Sequence, residues 1–206
     1  MTGWYPVLRT EEAPARHIAF VRLVDAEIAV WRDDAGRVNA WENRCPHRGM
    51  RLTLGTNTGT EVKCRYHGWR FASGTGACTF IPAHPAQTPP KAAVIPAYRT
   101  AERYGFVWIG LGDPAHEPDV PGLQGAPVVT LRSVTIGAAQ PDVRVALAAA
   151  PPSHGVVYLL QPQSAQVTTV HGAAAIALAG DERLAFLREQ NERLTALRRA
   201  LENVTA

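Results

Sequence analysis

The stretch that decides the fold runs from residue 44 to residue 69 and reads RCPHRGMRLTLGTNTGTEVKCRYHGW. One cysteine and one histidine stand near each end, Cys45 with His47 and Cys64 with His67, and sixteen residues separate the two pairs. Thiolates and imidazoles are both common metal ligands. Two short loops of this composition can therefore hold one metal ion between them or two.

Three interpretations of these four residues compete. Two cysteines and two histidines satisfy a tetrahedral zinc site, although zinc fingers usually pair Cys with Cys and His with His along the chain. Here each loop supplies one of each, which suits a [2Fe–2S] cluster with two cysteines on one iron and two histidines on the other. In the third interpretation the four are ordinary core residues.

The sequence around both loops resembles that of Rieske non-haem iron oxygenases. The likeness covers about residues 4–115 and includes the segments RDDAGRVNAWENRCPHRG (32–49), CRYHGW (64–69), GWRFASGTGACTFIPAHP (68–85) and ERYGFVWIGLGDP (102–114). It implies a Rieske-type [2Fe–2S] cluster and a mainly β N-terminal domain of antiparallel sheets with cluster-binding loops. It also implies that Cys45 and Cys64 hold one iron, and that His47 and His67 hold the other.

Residues near the loops refine this expectation. Neither loop carries the additional cysteine that forms a disulfide in Rieske proteins of respiratory complexes, which favours the oxygenase type. Cys78 is predicted to be a small apolar core residue and not a ligand. Arg48 is expected to form a surface ion pair or to contact a docking partner, and Trp69 is expected to pack over the cluster.

Composition and charge narrow the class of protein. The 206 residues are 46% hydrophobic and 19% charged, with a net charge of +3. The hydrophobic fraction is ample for a packed core and excludes a disordered chain. No apolar run approaches the length of a transmembrane helix. The first residues, MTGWYPVLRTEE, do not resemble a secretory signal. From these two features we expect no membrane association and a cytoplasmic location. Because the basic residues form no run, we also expect no nucleic-acid binding.

The composition changes near residue 115. All five tryptophans and all three cysteines precede that point, and Gly112 to Pro127 is rich in proline and glycine. We therefore predict a Rieske domain at 1–115, a linker at 116–127 and a small α+β domain at 128–206 that ends in a long helix.

Periodicity predicts the elements of both parts. In the first part we expect strands at 17–23, 26–31, 38–41 and 104–111, with turns at 33–36 and 73–76. In the second part we expect strands at 128–137, 143–149, 156–160 and 167–170. A helix is predicted from Asp181 onward. Leu187, Leu194 and Leu201 recur every seven residues, and Leu197 and Val204 are also seven residues apart. Its apolar stripe would pack on a sheet or form a contact between subunits.

The second part resembles a truncated catalytic domain of the helix-grip type, as in these oxygenases, but more weakly. In those oxygenases the mononuclear iron is bound by an Asp-x-x-His motif followed by a second histidine, and this motif is not recognisable here. Asp113 and His116 have this spacing by chance, since no histidine follows at the required distance. His154 and His171 are read as strand or turn histidines. A mononuclear Fe(II) in this chain is therefore doubtful, and no catalytic residue is assigned.

Three functions remain. The first is an electron-transfer component of a ring-hydroxylating or demethylating oxygenase system, which relays electrons from a reductase to a mononuclear iron on another chain. The second is a minimal oxygenase with an atypical iron site, built from His154, His171 and a carboxylate. The third is a non-catalytic subunit that stabilises a full-length oxygenase. The resemblance implies an NAD(P)H-dependent reductase or ferredoxin as donor, an oxygenase subunit as acceptor, and a homo- or hetero-trimer.

Overall fold

The computed structural model describes residues 2–125 and 127–203, and the chain divides into two compact units. The first unit comprises Met1–Arg22, Ala26–Glu102 and Val107–Ala115, and the second comprises Leu23–Asp25, Arg103–Phe106 and His116–Ala206. The mainly β fold with a long C-terminal helix that the sequence predicts is confirmed. The exact domain bounds given above stay a prediction.

A six-stranded sheet lies mainly in the first unit. Its strands are β1 (Gly3–Arg9), β2 (Ile18–Leu23), β3 (Ala26–Arg32), β4 (Val38–Glu42), β9 (Ala97–Arg103) and β10 (Phe106–Leu111), in the order β1-β10-β9-β4-β3-β2. The predicted strands at 17–23, 26–31 and 38–41 are confirmed. The strand expected at 104–111 begins two residues later, because Tyr104 and Gly105 form the turn after β9.

A smaller four-stranded sheet carries the connection between the two loops. Its strands are β5 (Thr56–Asn57), β6 (Glu61–Lys63), β7 (Arg70–Ala72) and β8 (Cys78–Phe80), paired in chain order. Beneath the loops lies a core in which Trp31, Trp41 and Phe71 are almost completely buried. Cys45 and Cys64 belong to the same core, so both loops begin on a rigid apolar base.

The second unit is an antiparallel sheet packed against two helices. Its elements are β11 (Val128–Thr130), β12 (Val134–Ile136), α1 (Gln140–Ala149), β13 (Val157–Ser164), β14 (Val167–Ala175) and α2 (Gly180–Asn203). Strand β14 is central, since β11, β12 and β13 all pair with it. Leu194 of α2 is buried against the sheet, and Leu197 and Leu201 pack beside it, as the predicted apolar stripe requires. Val204, which shares that stripe in the sequence, lies outside the described residues.

Two sequence predictions for this unit are wrong. The strand expected at 143–149 is helix α1, because the alternation Val-Arg-Val imitates a strand whereas Pro141 in the first turn and the following alanines favour a helix. Val143 is buried but Val145 is 70% exposed, so the alternation does not mark a sheet face. The strand expected at 128–137 is interrupted, and its two parts pair with different stretches of β14.

Neither helix of the described residues combines the length and apolarity that crossing a bilayer requires.

Candidate metal centre

The two cysteine loops share one backbone design. Cys45 follows β4, and Cys64 begins the connection from β6 to β7. In each loop the cysteine N–H donates to the carbonyl five residues later, over 2.8 Å to Met50 in the first and 2.8 Å to Trp69 in the second. The glycine four residues after each cysteine donates its N–H to the cysteine carbonyl. Two successive hairpin-like loops of equal length therefore present their side chains in similar ways.

The glycines make these tight loops possible. Gly49 has φ +71° and Gly68 has φ +70°, a left-handed conformation that costs glycine nothing and strains other residues. The histidines are placed differently, since His47 is the third residue of its loop and His67 is the fourth. Their rings nevertheless lie edge to face with centroids 4.7 Å apart. The fold thus brings together two imidazoles that are twenty residues apart in the chain.

The two cysteines lie on the inner side of this site. Both are free thiols with 2% exposure. Burial raises the pKa of Cys45 to about 11, and the adjacent Cys64, within hydrogen-bond reach, also favours the protonated form. A thiol pair in this environment becomes a thiolate pair only when a cation replaces the protons. This arrangement is appropriate for a metal site and gives a poor nucleophile.

The imidazoles lie on the outer side. His67 is exposed, and the Tyr66 ring leans on it with centroids 3.8 Å apart. His47 is half-buried and stacks on Trp69, with centroids 4.5 Å apart and planes within 7°. Desolvation, followed by the charges of His67 and Arg48, lowers the pKa of His47. The neutral imidazole that a metal requires is therefore favoured.

The donor set fits a binuclear cluster. Two buried sulfurs and two outward imidazoles form two pairs, and each iron of a [2Fe–2S] cluster takes two protein ligands besides the bridging sulfides. Within the ranges 2–125 and 127–203, no group of three or more His, Cys, Asp and Glu side chains is placed to hold a single ion. Such a group is not needed where each iron has only two protein ligands.

Other residues singled out from the sequence lie apart from this donor set. Cys78 is partly buried and packs against the core beneath the loops, in keeping with its expected apolar role. Trp69 covers His47, as expected of a residue that shields the site. Asp113 pairs with Arg99 at 2.7 Å.

The two histidines considered for an atypical iron site have other partners. His171 is 1% exposed, and its ring nitrogens contact Ser133 Oγ and Gln161 Oε1, each at 2.8 Å. His154 lies on the surface, 3.7 Å from a carboxylate oxygen of Glu189. No triad of possible iron ligands is assembled around either histidine in the part of the chain that the structure describes.

Some residues at the site were missed in the sequence. Tyr66 covers His67, although nothing in its spacing marks it. A basic residue, Arg44 or Lys63, directly precedes each cysteine, and Arg65 follows the second. These positive charges adjoin the cysteines in the sequence, but they form no run, and folding brings the two loops that carry them together.

Comparisons with known proteins identify the family to which both loops belong. The Rieske [2Fe-2S] domain model matches residues 3–99. Oxidoreductase NdmD of Pseudomonas putida is 46% identical over 176 residues, which are 84% of this chain and 28% of NdmD. The toluene-4-sulfonate monooxygenase system iron-sulfur subunit TsaM1 of Comamonas testosteroni is 42% identical over 117 residues, which are 56% of this chain and 33% of TsaM1. The chain thus spans about a third or less of these curated relatives.

A solved structure shows the same fold. The structure of Pseudomonas putida CBB5 NdmA with caffeine matches 97% of this chain and 81% of its own, with a TM-score of 0.76 and 18% identity. The fold therefore extends over both units of the present chain. The cofactor expected from the sequence, a Rieske cluster, is confirmed by the family match. Residues 3–99 of the chain belong to the Rieske [2Fe–2S] domain family.

Proposed function

We propose that the chain is the Rieske-type electron-transfer component of a non-haem iron oxygenase system. It takes electrons from an NAD(P)H-dependent reductase or a ferredoxin and passes them to a mononuclear iron on another chain. The observation that carries this proposal is the pair of matching loops, with two sulfurs buried in the core and two imidazoles on the outer side, of which His67 is exposed. An electron carrier needs a shielded redox centre with one accessible edge, and this arrangement provides one.

The four side chains have different roles in this proposal. Cys45 and Cys64 hold the inner iron, and His47 and His67 hold the outer one. When bound, a Rieske cluster accepts and releases one electron, at a potential raised by its histidine ligands. Trp69 limits access of water to His47, whereas His67 stays exposed for contact with a partner.

The name of one relative and the surroundings of His171 favour electron transfer over a complete oxygenase. A match covering 84% of the chain cannot be contained in residues 1–115, so the likeness to NdmD includes part of the second unit. That relative is named an oxidoreductase, and TsaM1 is named an iron-sulfur subunit. Because His171 already has partners on both ring nitrogens, the minimal oxygenase gains no support from the geometry.

The test is to purify the full chain without oxygen and to measure iron, acid-labile sulfide and the EPR spectrum after reduction. We expect two irons, two sulfides and a Rieske-type signal alone. C64S and H67A should lose that signal. C78S and H84A are matched controls, since both residues belong to the first unit but lie outside the loops, and they should retain it.

Two results would overturn the proposal. A third iron per chain that binds nitric oxide would indicate an oxygenase centre in this chain. Normal turnover of an assembled oxygenase with H67A would indicate a subunit that only stabilises its partner. The trimeric assembly and the cytoplasmic location are further parts of the proposal, and analytical ultracentrifugation and cell fractionation would test them.

A further inference from the structure

The charge of the chain is distributed unevenly around the two loops. From Arg44 to Ala101 there are eight lysines and arginines but only one acidic residue, Glu61. The chain as a whole has 21 basic and 18 acidic residues, so this long segment carries much more positive charge than the rest. Such an imbalance creates a local positive potential, even though the net charge of the chain is small.

The structure places four of these charges on the loops themselves. A Cβ on Gly49 would lie 3.2 Å from Nε of Arg44, and one on Gly68 would lie 3.6 Å from Cε of Lys63. Each cation that precedes a cysteine thus folds back over the glycine that closes its loop. Arg48 follows His47 directly, and Arg65 follows Cys64. We call these four residues, Arg44, Arg48, Lys63 and Arg65, the basic face.

All four cations are exposed, and none of them has an acidic partner among the described residues. Neighbouring cations do have one, since Arg51 forms two hydrogen bonds with Glu27 and Arg70 lies 3.9 Å from Glu61. Because the rings of His47 and His67 lie with centroids 4.7 Å apart, the two loops adjoin, and the like charges that they carry repel one another. A partner that brings negative charge relieves that repulsion.

We propose that the basic face docks an acidic redox protein whose carboxylates surround its own redox centre. This inference rests on the proposed function, because the exposed His67, on the same loop as Arg65, is where an electron would cross. Electron-transfer contacts are small and short-lived, and their specificity and speed come from charge steering. The expected partner is therefore a small, strongly acidic iron–sulfur protein.

Two small oxidants of opposite charge probe the face directly. The reduced protein gives one electron to hexacyanoferrate(III), forming hexacyanoferrate(II), or to tris(phenanthroline)cobalt(III), forming the cobalt(II) complex. We expect the rate constant with the anion to fall as salt is added, and that with the cation to rise. Stopped-flow absorbance measures both, and salt acts because it screens exposed charges over about 10 Å at 0.1 M.

Binding of a protein partner is tested with a plant-type [2Fe–2S] ferredoxin as acidic probe. Titration calorimetry at several salt concentrations gives the dissociation constant for the oxidised proteins, independently of any turnover. R48E/R65E should weaken binding at low salt by at least about tenfold, as expected for loss of steering charges. R132E/R144E is the matched control, because it changes the net charge equally at exposed residues of the second unit. R48Q/R65Q replaces the first variant if charge reversal impairs folding.

The outcomes separate the two proposals. A chain that binds no cluster refutes the proposed function. The docking role of the basic face is refuted, and the proposed function is not, by a chain with two irons and a normal EPR signal whose ferredoxin binding does not depend on salt. The same holds if both double variants weaken that binding equally. Faster oxidation by the cobalt complex at low salt than at high salt would also refute it.

Discussion

The two rings that touch the imidazoles belong to different environments. Trp69 is partly buried, packs on the core beneath the loops and lies parallel to His47. Tyr66 is 54% exposed and leans on His67 from outside. An aromatic ring that fills space in a core contributes to the stability of the protein, whereas removal of an exposed ring costs the protein little stability. The site is therefore supported from one side and open on the other.

This difference predicts unequal effects of two similar substitutions. W69L should lower the free energy of unfolding by about 1–3 kcal/mol, since it removes a stacked contact and buried area. Y66L should lower it by less than about 0.5 kcal/mol. Urea unfolding followed by tryptophan fluorescence and circular dichroism measures both. Equal losses would contradict the assignment of Trp69 as the inner support.

Among the elements, the turn between β3 and β4 is tied to the turn after β7. Asp33 accepts hydrogen bonds from the Arg37 amide at 2.8 Å and from the Ser73 hydroxyl at 2.6 Å, and Asn39 also contacts Ser73. Asp33 is only 8% exposed. This network joins the six-stranded sheet to the smaller sheet that carries the second loop. Its loss should loosen the position of that loop.

D33N should therefore destabilise the first unit by about 1–3 kcal/mol at pH 7, because an amide cannot accept both hydrogen bonds as a carboxylate does. Burial raises the pKa of Asp33, but the hydrogen bonds from Ser73 and Arg37 outweigh it and hold that pKa below its ordinary value of 3.8. The stabilisation is thus present above pH 3.8 and is lost as the pH falls through the lower folded-state pKa.

Unfolding of wild type and variant from pH 7 to pH 3 checks this, and the difference between them should shrink at the acid end. D34N is the control, since Asp34 pairs with Arg16 on an exposed surface, where an ion pair contributes little. A penalty for D34N as large as that for D33N would contradict the role of the network.

Helix α2 offers a matched pair of leucines. Leu194 is 1% exposed and packs against the sheet of the second unit, whereas Leu184 is 61% exposed. L194A should destabilise this unit by about 2–4 kcal/mol, because it leaves a cavity. L184A should change stability by less than about 0.5 kcal/mol, since alanine suits a helix at an exposed position. Thermal unfolding followed by circular dichroism at 222 nm distinguishes them, and similar midpoints would refute the packing of α2.

For the chain as a whole, the sequence revealed what depends on local chemistry. The two Cys/His loops could be recognised because ligand identity and spacing are written along the chain. The helical state of residues 143–149 could not, since Val143 and Val145 alternate as in a strand and only packing shows that one of them faces solvent. The basic face was also hidden, because two of its cations lie on each loop and only folding sets the two loops side by side.

Removal of the cluster should loosen the first unit, because all four expected ligands belong to it. A cluster held by ligands from both loops links β4 to β6 and β7. The free energy of cluster binding therefore stabilises the folded state of this region. The second unit has its own cores beneath α2. Hydrogen exchange after chelation of the iron should therefore accelerate in peptides covering 38–72 and stay unchanged in those covering 157–203. Equal acceleration in both regions would show that the two units unfold as one, and would contradict this separation.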